Sequence, residues 1–307
     1  MIKIGVVVDP HLVERACRCR KDNFFETALG KLDYIASEND YVLIAGDLCH
    51  IHNNSTLFFN TLFTLMNKHK GKFHGILGNH DMFSRNLSAL NRTTVGSLFY
   101  TGAYEVHLKP FKLAGITFVP AMVNTDVDSI PVDTENSNIL IAHKFFDQKF
   151  SPDESLFAED IRALNYDTVF LGHDHKPYPT EYIGNSTVIR MGSLTRIDTQ
   201  EYNRDREIKY YQIETDGESG KFDCFERVIP YKPLSEVYTE EAFNKMHHRD
   251  SGSSIVSFLQ IGDALAKLTK QQDGAISLDR TLRRLNTPDQ SIDNIKWRHE
   301  SEGVTYT

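Results

Sequence analysis

Five runs of apolar residues recur within the first 171 positions of the chain, and none of them alternates with polar residues. A strand with one solvent-exposed face alternates between apolar and polar side chains, whereas a strand covered on both faces reads as an unbroken run of Val, Ile, Leu and Phe. The pattern therefore predicts five buried strands of an α/β core. They occupy residues 2–8, 41–45, 73–77, 138–141 and 168–171.

Two of the segments between these strands have the residue spacing of a helix. Apolar residues three and four positions apart predict helices over residues 22–37 and 55–69, and both would serve as crossovers between parallel strands. Beyond residue 175 the pattern predicts short strands. These lie at residues 187–191, 207–214 and 222–229. Asp216 and Gly217 mark a hairpin turn between the last two of them.

A boundary is expected at residues 230–233, which begin and end with proline. It divides the chain into residues 1–230, which carry the α/β pattern, and a small, mainly helical appendage at residues 231–307. Within the appendage, apolar residues on one helical face predict an amphipathic helix at 253–270 and a shorter one at 276–285.

Composition limits the classes of protein that this chain can belong to. Its 307 residues allow one large α/β domain and a smaller appendage. No apolar run approaches the roughly 18 residues of a membrane span, and the amino terminus has no signal-peptide pattern. The four cysteines form no zinc-binding pair of doublets, so we expect a reducing, cytoplasmic setting and no contact with membranes.

Each of the five predicted strands is followed by residues of types that commonly bind metal ions in proteins. They are Asp9, His11, Asp47, Asn79, His143, His173 and His175. Carboxylate, imidazole and amide groups without a thiolate favour Mn, Fe or Zn. Seven ligands exceed what one ion needs, and two ions about 3.5 to 4 Å apart would hold a phosphate between them. Any one of these segments is also a common turn sequence, but five in succession, each after a strand, predict a joint site.

The motifs D-x-H, G-D, G-N-H-D, an isolated His and G-H-D-H occur in this order. In this respect the chain resembles the calcineurin-like metallophosphoesterase superfamily over about residues 1–200, which implies a two-sheet sandwich flanked by helices. Residues 45–50, Ala-Gly-Asp-Leu-Cys-His, are similar to a string of SbcD-type DNA double-strand-break-repair nucleases, although Cys49 stands where those nucleases usually have an aromatic residue. Residues 191–196, Met-Gly-Ser-Leu-Thr-Arg, also resemble a segment of those nucleases.

The resemblance implies two divalent ions that share Asp47, with Mn²⁺ expected and Fe or Zn as alternatives. One ion would be bound by Asp9, His11, Asp47 and His175. The other would be bound by Asp47, Asn79, His143 and His173. His80 is outside both sets and would protonate the leaving oxygen or stabilise charge on the phosphate. Asp81 would orient His80, and His50 would position the scissile phosphate unless it is only a polar loop residue.

Basic residues follow the first ligands along the chain. They are Arg15, Arg18, Arg20 and Lys21. Because the net charge is −8, binding to nucleic acid would depend on such a local patch and on the metal ions. These side chains are expected to grip a nucleic-acid backbone, and the alternative is a solvated loop that leads into the next helix.

Taken together, these features predict a two-metal phosphodiesterase of the SbcD type, a DNA exonuclease or endonuclease subunit in repair, recombination or replication. The resemblance implies an SbcC-type, SMC-like ATPase partner that binds residues 231–307, and a homodimer is a further expectation. Two alternatives remain open within enzymes, a phosphomonoesterase and a cyclic-nucleotide phosphodiesterase, since fold does not determine substrate. A metal-free scaffold is the alternative outside enzymes, but a scaffold has no chemical need for seven ligands.

Overall fold

The computed structural model describes residues 1–14, 20–133, 138–148, 154–198 and 200–239. All of them lie in one compact unit that spans Met1–Asn244. The predicted helices at 253–270 and 276–285 lie outside the described residues, so the division at residue 230 stays a prediction. No helix in the described ranges combines the length and apolar character that a bilayer span requires.

The first of two large sheets has six strands, of which four are parallel neighbours and two form an antiparallel edge. The parallel strands are β1 (Ile2–Val7), β2 (Tyr41–Ala45), β3 (Phe73–Ile76) and β4 (Glu105–Val106). The antiparallel strands are β13 (Lys209–Thr215) and β14 (Phe222–Val228). The order across the sheet is β14-β13-β1-β2-β3-β4. The predicted turn at Asp216 and Gly217 is confirmed, since it joins β13 to β14.

The second sheet also has six strands and a parallel centre. Its strands are β5 (Phe111–Leu113), β6 (Ile116–Ala121), β7 (Asn138–His143), β10 (Thr168–Gly172), β11 (Glu181–Ile183) and β12 (Ser186–Ile189). Their order is β11-β12-β10-β7-β6-β5. A small parallel pair consists of β8 (Phe145–Phe146) and β9 (Ser155–Leu156).

The two sheets pack face to face, which explains why the strand sequences lack alternation. Ile4 and Val6 of β1 belong to the same buried cluster as Ile139 of the second sheet. The intervening Val7 packs instead with Leu32 and other helical residues on the outer face. Because successive side chains of a strand point to opposite faces, a strand buried on both sides needs an apolar residue at every position.

Helices cover both outer faces, so the predicted α/β sandwich is confirmed. They are α1 (Phe24–Glu38), α2 (Thr56–Lys68), α3 (Thr94–Tyr100), α4 (Ala158–Leu164) and α5 (Leu234–Val237). The side chains of Asn23 and Ser55 accept hydrogen bonds from the first turns of α1 and α2, which explains where these helices begin. Both helices were predicted, with ends within two residues of those observed.

Candidate metal centre

The predicted ligands lie at the carboxyl ends of five strands from both sheets. Strands β1, β2 and β3 of the first sheet are parallel to one another, as are β7 and β10 of the second. Parallel strands end at the same edge of a sheet, so the side chains that follow them converge. The structure groups the ligand atoms into clusters within 4.8 Å. The clusters are Asp9 with His11 and His175, Asp47 with His143 and His173, and His11 with His50 and His80.

Asp47 lies between the first two clusters. Its Oδ2 atom is 3.4 Å from Nε2 of His11 and 3.2 Å from Nε2 of His143, one residue from each cluster. This oxygen is buried and has no hydrogen-bond partner within the described residues. A buried carboxylate oxygen without a partner is costly, and two shared metal ions would remove that cost. The residues therefore fit divalent metal ions, which Asp47 would help to bind.

His143 is oriented for metal binding through Nε2. Its Nδ1 lies 3.0 Å from the carbonyl oxygen of Ala45, so that Nδ1–H donates to this carbonyl and Nε2 carries the free lone pair. Nε2 in turn lies 3.2 Å from Oδ1 of Asn79. An imidazole whose second nitrogen donates to a carbonyl is the usual arrangement of a metal-binding histidine. Asn79 and His143 are thus brought together as predicted for one ion.

The other cluster contains two facing imidazoles. Nε2 of His11 lies 2.9 Å from Nε2 of His175, and both rings are largely buried. Asp9, which is fully buried, accepts a hydrogen bond of 2.9 Å from the backbone N–H of His173 through one oxygen. A backbone group of the Asp47 cluster thereby holds a side chain of the Asp9 cluster.

Titration in this centre reflects burial and mutual charge. Burial, opposed by His143 and reinforced by Asp47, raises the pKa of Asp9 to about 7. Burial also works against ionisation of Asp47, but the His143 and His11 rings outweigh it and hold the pKa of Asp47 well below its ordinary value. Burial acts to lower the pKa of His143, yet Asp47 outweighs it and raises this pKa to about 10. Burial lowers the pKa of His175 to about 4. A divalent ion binds the neutral imidazole and the ionised carboxylate, so metal binding would displace the protons that the raised pKa values keep on His143 and Asp9.

Backbone strain is concentrated at the ligands. Four of the seven have positive φ angles, with values of 49° at Asp9, 48° at His11, 50° at Asp47 and 92° at His173. Such angles are uncommon for residues other than glycine and tend to mark functional sites. Close packing adds a second constraint, because a Cβ atom at Gly78 would lie 2.0 Å from Oδ1 of Asp47.

His80 and His50 lie beside this centre, as their predicted roles require. The rings of His80 and His50 stack with centroids 5.2 Å apart, and the His80 ring is 4.9 Å from that of His11. Nδ1 of His80 lies 2.6 Å from the carbonyl oxygen of His50 and therefore carries a proton. A proton that His80 passes to a substrate would therefore come from Nε2. Burial, with His80 adding to it, lowers the pKa of His50.

The predicted role of Asp81 is wrong in this structure. Its fully buried carboxylate accepts hydrogen bonds from the backbone N–H groups of Gly78 at 3.0 Å and Cys49 at 3.0 Å. The His80 ring is held instead by the His50 carbonyl. Asp81 thus joins the loop after β2 to the loop after β3. The sequence could not reveal this role, because it does not show which loops meet.

The predicted basic patch is also corrected in part. Arg20 is buried and forms an ion pair of 2.8 Å with Asp22, and its guanidinium donates to Tyr238 and to the carbonyl of Arg196. These internal partners leave it unsuited to hold a substrate. Lys21 is exposed and donates to the carbonyl of Ser235. Arg15 and Arg18 lie outside the described residues.

Two groups near the centre were not predicted. Arg206 is buried and donates to the carbonyls of His175 and Ser193, and thereby supports the chain at one ligand. Glu154 lies 3.7 Å from Nε2 of His173 and also contacts Arg85. Attraction to the His173 ring, and then to Arg85, outweighs burial and lowers the pKa of Glu154 to about 2. Neither residue lies in a motif, so only the folded structure brings them to the site.

The comparison with known protein families agrees with this geometry. A model of the calcineurin-like phosphoesterase family matches residues 2–177. No curated protein matches the sequence. The similar solved structures include the following two. The TT1561 protein of Thermus thermophilus is 14% identical, with a TM-score of 0.43 over 73% of this chain and 98% of its own. The NAD nucleotidase NadN of Haemophilus influenzae is 16% identical, with a TM-score of 0.38 over 75% of this chain and 50% of its own.

Proposed function

The chain belongs to the calcineurin-like phosphoesterase family, and on that premise we propose that it is a two-metal phosphodiesterase that cleaves DNA. Asp9, His11, Asp47 and His175 would bind one ion. Asp47, Asn79, His143 and His173 would bind the other. When bound, two such ions supply Lewis acidity and make a water molecule nucleophilic at neutral pH. We expect Mn²⁺ in both positions.

The position of Asp47 carries this proposal. A single buried oxygen faces a ring nitrogen from each of two ligand clusters and has no other partner in the described part of the chain. A structural carboxylate would be satisfied by N–H or O–H groups. Two positive ions at this point account for the otherwise unpartnered oxygen.

His80 is proposed as the proton donor to the leaving oxygen. Its Nδ1–H is engaged by the carbonyl of His50, so the proton would be delivered from Nε2. His50 stacks on His80 and its Nδ1 lies 3.2 Å from Nδ1 of His11. From this position His50 would contact the same phosphate and help to orient it.

DNA is proposed as the substrate because residues 45–50 are similar to those of SbcD-type nucleases, and because His50 of that string lies beside His80. A function in DNA repair or recombination with an SMC-like ATPase partner follows from the same resemblance. Since Arg20 has internal partners, Arg15, Arg18, Lys21 and the metal ions would attract the DNA backbone. We therefore expect weak binding by the isolated chain, which falls steeply with salt.

The proposal is tested with metal-free protein and added Mn²⁺ on four substrates in parallel. These are end-labelled single-stranded DNA, end-labelled double-stranded DNA, a nitrophenyl phosphodiester and a nitrophenyl phosphomonoester. We expect cleavage of DNA and of the small diester, and loss of both with Asp47→Asn, which also excludes a contaminating nuclease. Fast hydrolysis of the monoester without cleavage of either DNA would contradict the nuclease proposal and favour a phosphatase.

A further inference from the structure

His173 and His143 are the two predicted histidine ligands of the same ion. They differ in the hydrogen-bond partner of the ring nitrogen that would not bind the metal. In His143 that nitrogen donates to a carbonyl at 3.0 Å. Nε2 of His173 is buried and has no hydrogen bond within 3.5 Å among the described residues. The carboxylate of Glu154 faces it, with Oε2 at 3.7 Å. A metal-binding histidine normally donates its second N–H to such an acceptor.

The neighbours of His173 restrict where its ring can go. The Phe145 ring has its centroid 3.9 Å from that of His173, and the ring of His143, the other predicted histidine ligand of this ion, is 4.8 Å away. With two rings this close, the imidazole has little freedom to move, so an acceptor at Nε2 determines mainly which nitrogen carries the proton. With the proton on Nε2, the lone pair of His173 lies on Nδ1.

Glu154 is itself held by one cation. Arg85 contacts Oε1, the oxygen that does not face His173. Ser84 and Arg85 both have positive φ angles, of 49° and 55°, so the segment that presents this guanidinium departs from ordinary backbone geometry. The three side chains therefore form a continuous series from Arg85 through Glu154 to His173.

We propose that Glu154, held by Arg85, is a positioning residue that keeps the proton of His173 on Nε2 and leaves Nδ1 to bind the second metal ion. The role depends on the two-metal centre proposed above. It adds two residues from different loops to the support of one ion. The first ion, bound by residues that Glu154 does not touch, would be unaffected.

The matched control is a second Arg–Glu pair, Arg190 with Glu181, in which no histidine of the described residues is paired with the Glu. Metal-free wild type, Glu154→Ala, Glu154→Gln and Glu181→Ala are titrated with Mn²⁺ by calorimetry. We expect Glu154→Ala to weaken the second ion by about 10- to 100-fold, the usual effect of losing such a partner. Glu154→Gln keeps an acceptor oxygen and should lose less, while Glu181→Ala should bind both ions as wild type does.

Thermal unfolding of each metal-free protein verifies that the variants are folded. Two ions bound by Glu154→Ala with wild-type affinity would overturn the role of Glu154. Equal weakening by Glu154→Ala and Glu181→Ala would also overturn it, because the effect would then be one of general stability. Wild type that binds no Mn²⁺ would instead contradict the metal centre itself, so the two failures are distinguishable.

Discussion

Asp47 contacts both the ligand clusters and the proposed proton donor. One oxygen faces both ligand clusters, and the other accepts a hydrogen bond of 2.8 Å from the backbone N–H of His80. The same carboxylate therefore links the metal centre to the proposed proton donor. Its position after β2, between the two sheets, allows both contacts.

Replacing this carboxylate by an amide tests the bridging role. We expect Asp47→Asn to abolish hydrolysis and to reduce bound Mn²⁺ from about two ions per chain, because an amide oxygen does not bridge two cations well. Elemental analysis and a diester assay measure the two effects. Asp33→Asn, which changes an exposed carboxylate that binds Lys68 and His69, should leave both unchanged. Two tightly bound ions in Asp47→Asn would refute the assignment.

His80 should affect rate without affecting metal content. His80→Asn is expected to lose on the order of 10²-fold in turnover of the diester, since a positioned general acid contributes about that much. Both ions should remain, as His80 belongs to neither proposed ligand set. His74→Asn serves as the control, because its ring contacts His107 on another part of the sheet. Loss of an ion from His80→Asn would make His80 a ligand.

At the scale of single residues, the sequence motifs predicted which residues come together at the candidate metal centre but not all of their hydrogen-bond and ion-pair partners. Seven candidate ligands follow predicted strands, and strand ends that share an edge bring them together. The roles of Asp81 and Arg20 depend on contacts with distant segments, such as Arg20 with Tyr238, that no local pattern reveals. Glu154 escaped notice for the same reason, since its partners Arg85 and His173 are far from it in the chain.

Among the elements, α1 contributes an unusual buried charge. Lys31 lies on its inner face and donates to the carbonyl of Leu194 at 3.0 Å. Burial, together with the nearby Arg196 and Arg206, lowers the pKa of Lys31 from 10.5 to about 7. The unfolded chain therefore binds more protons than the folded chain between these two pH values. By linkage, the contribution of Lys31 to stability rises with pH across that window.

The difference in the free energy of unfolding between wild type and Lys31→Met isolates this effect. We expect the difference to shift in favour of wild type as pH increases from about 7 to about 10, and to be flat at lower pH, where both states are protonated. Denaturant unfolding of the metal-free proteins at several pH values measures it. A difference that stays constant across this window would show that Lys31 keeps an ordinary pKa in the folded state.

Helices α1 and α2 and most of the long strands were predicted, whereas the six-residue strand β6 and the short elements were not. Helices α1 and α2 have clear apolar periodicity and capping residues, and the predicted strands are rich in apolar residues. Elements such as β4, with two residues, and β11, with three, carry too little pattern to be recognised. They form because a neighbouring strand offers hydrogen bonds, which is a property of the assembled sheet.

At the scale of the whole molecule, the residues that follow the predicted boundary at 230 bear on where the catalytic unit ends. Val237 and Tyr238 are buried, and the backbone N–H of Lys21 donates to the carbonyl of Val237 at 2.8 Å. Tyr238 also donates to the carbonyl of Arg196. The residues just beyond the predicted boundary at 230 are therefore packed against the described α/β unit.

Two truncations distinguish packing from the proposed docking of a partner. A chain that ends at Thr239 should keep the unfolding temperature and the diester activity, because all seven proposed ligands and the Tyr238 contacts remain. A chain that ends at Pro230 should unfold on the order of 5 °C lower, since Arg20 and Lys21 lose partners. Equal unfolding temperatures would show that residues 231–239 contribute nothing to stability. Both truncations should lose association with an SMC-like ATPase.

The central claim is that two metal ions share Asp47 at the junction of the two sheets. Anomalous X-ray diffraction at the manganese edge, from crystals grown with Mn²⁺, tests it most directly. We predict two peaks about 3.5 to 4 Å apart, one among Asp9, His11 and His175 and the other among Asn79, His143 and His173, with Asp47 touching both. A single peak, or peaks away from these residues, would contradict the account.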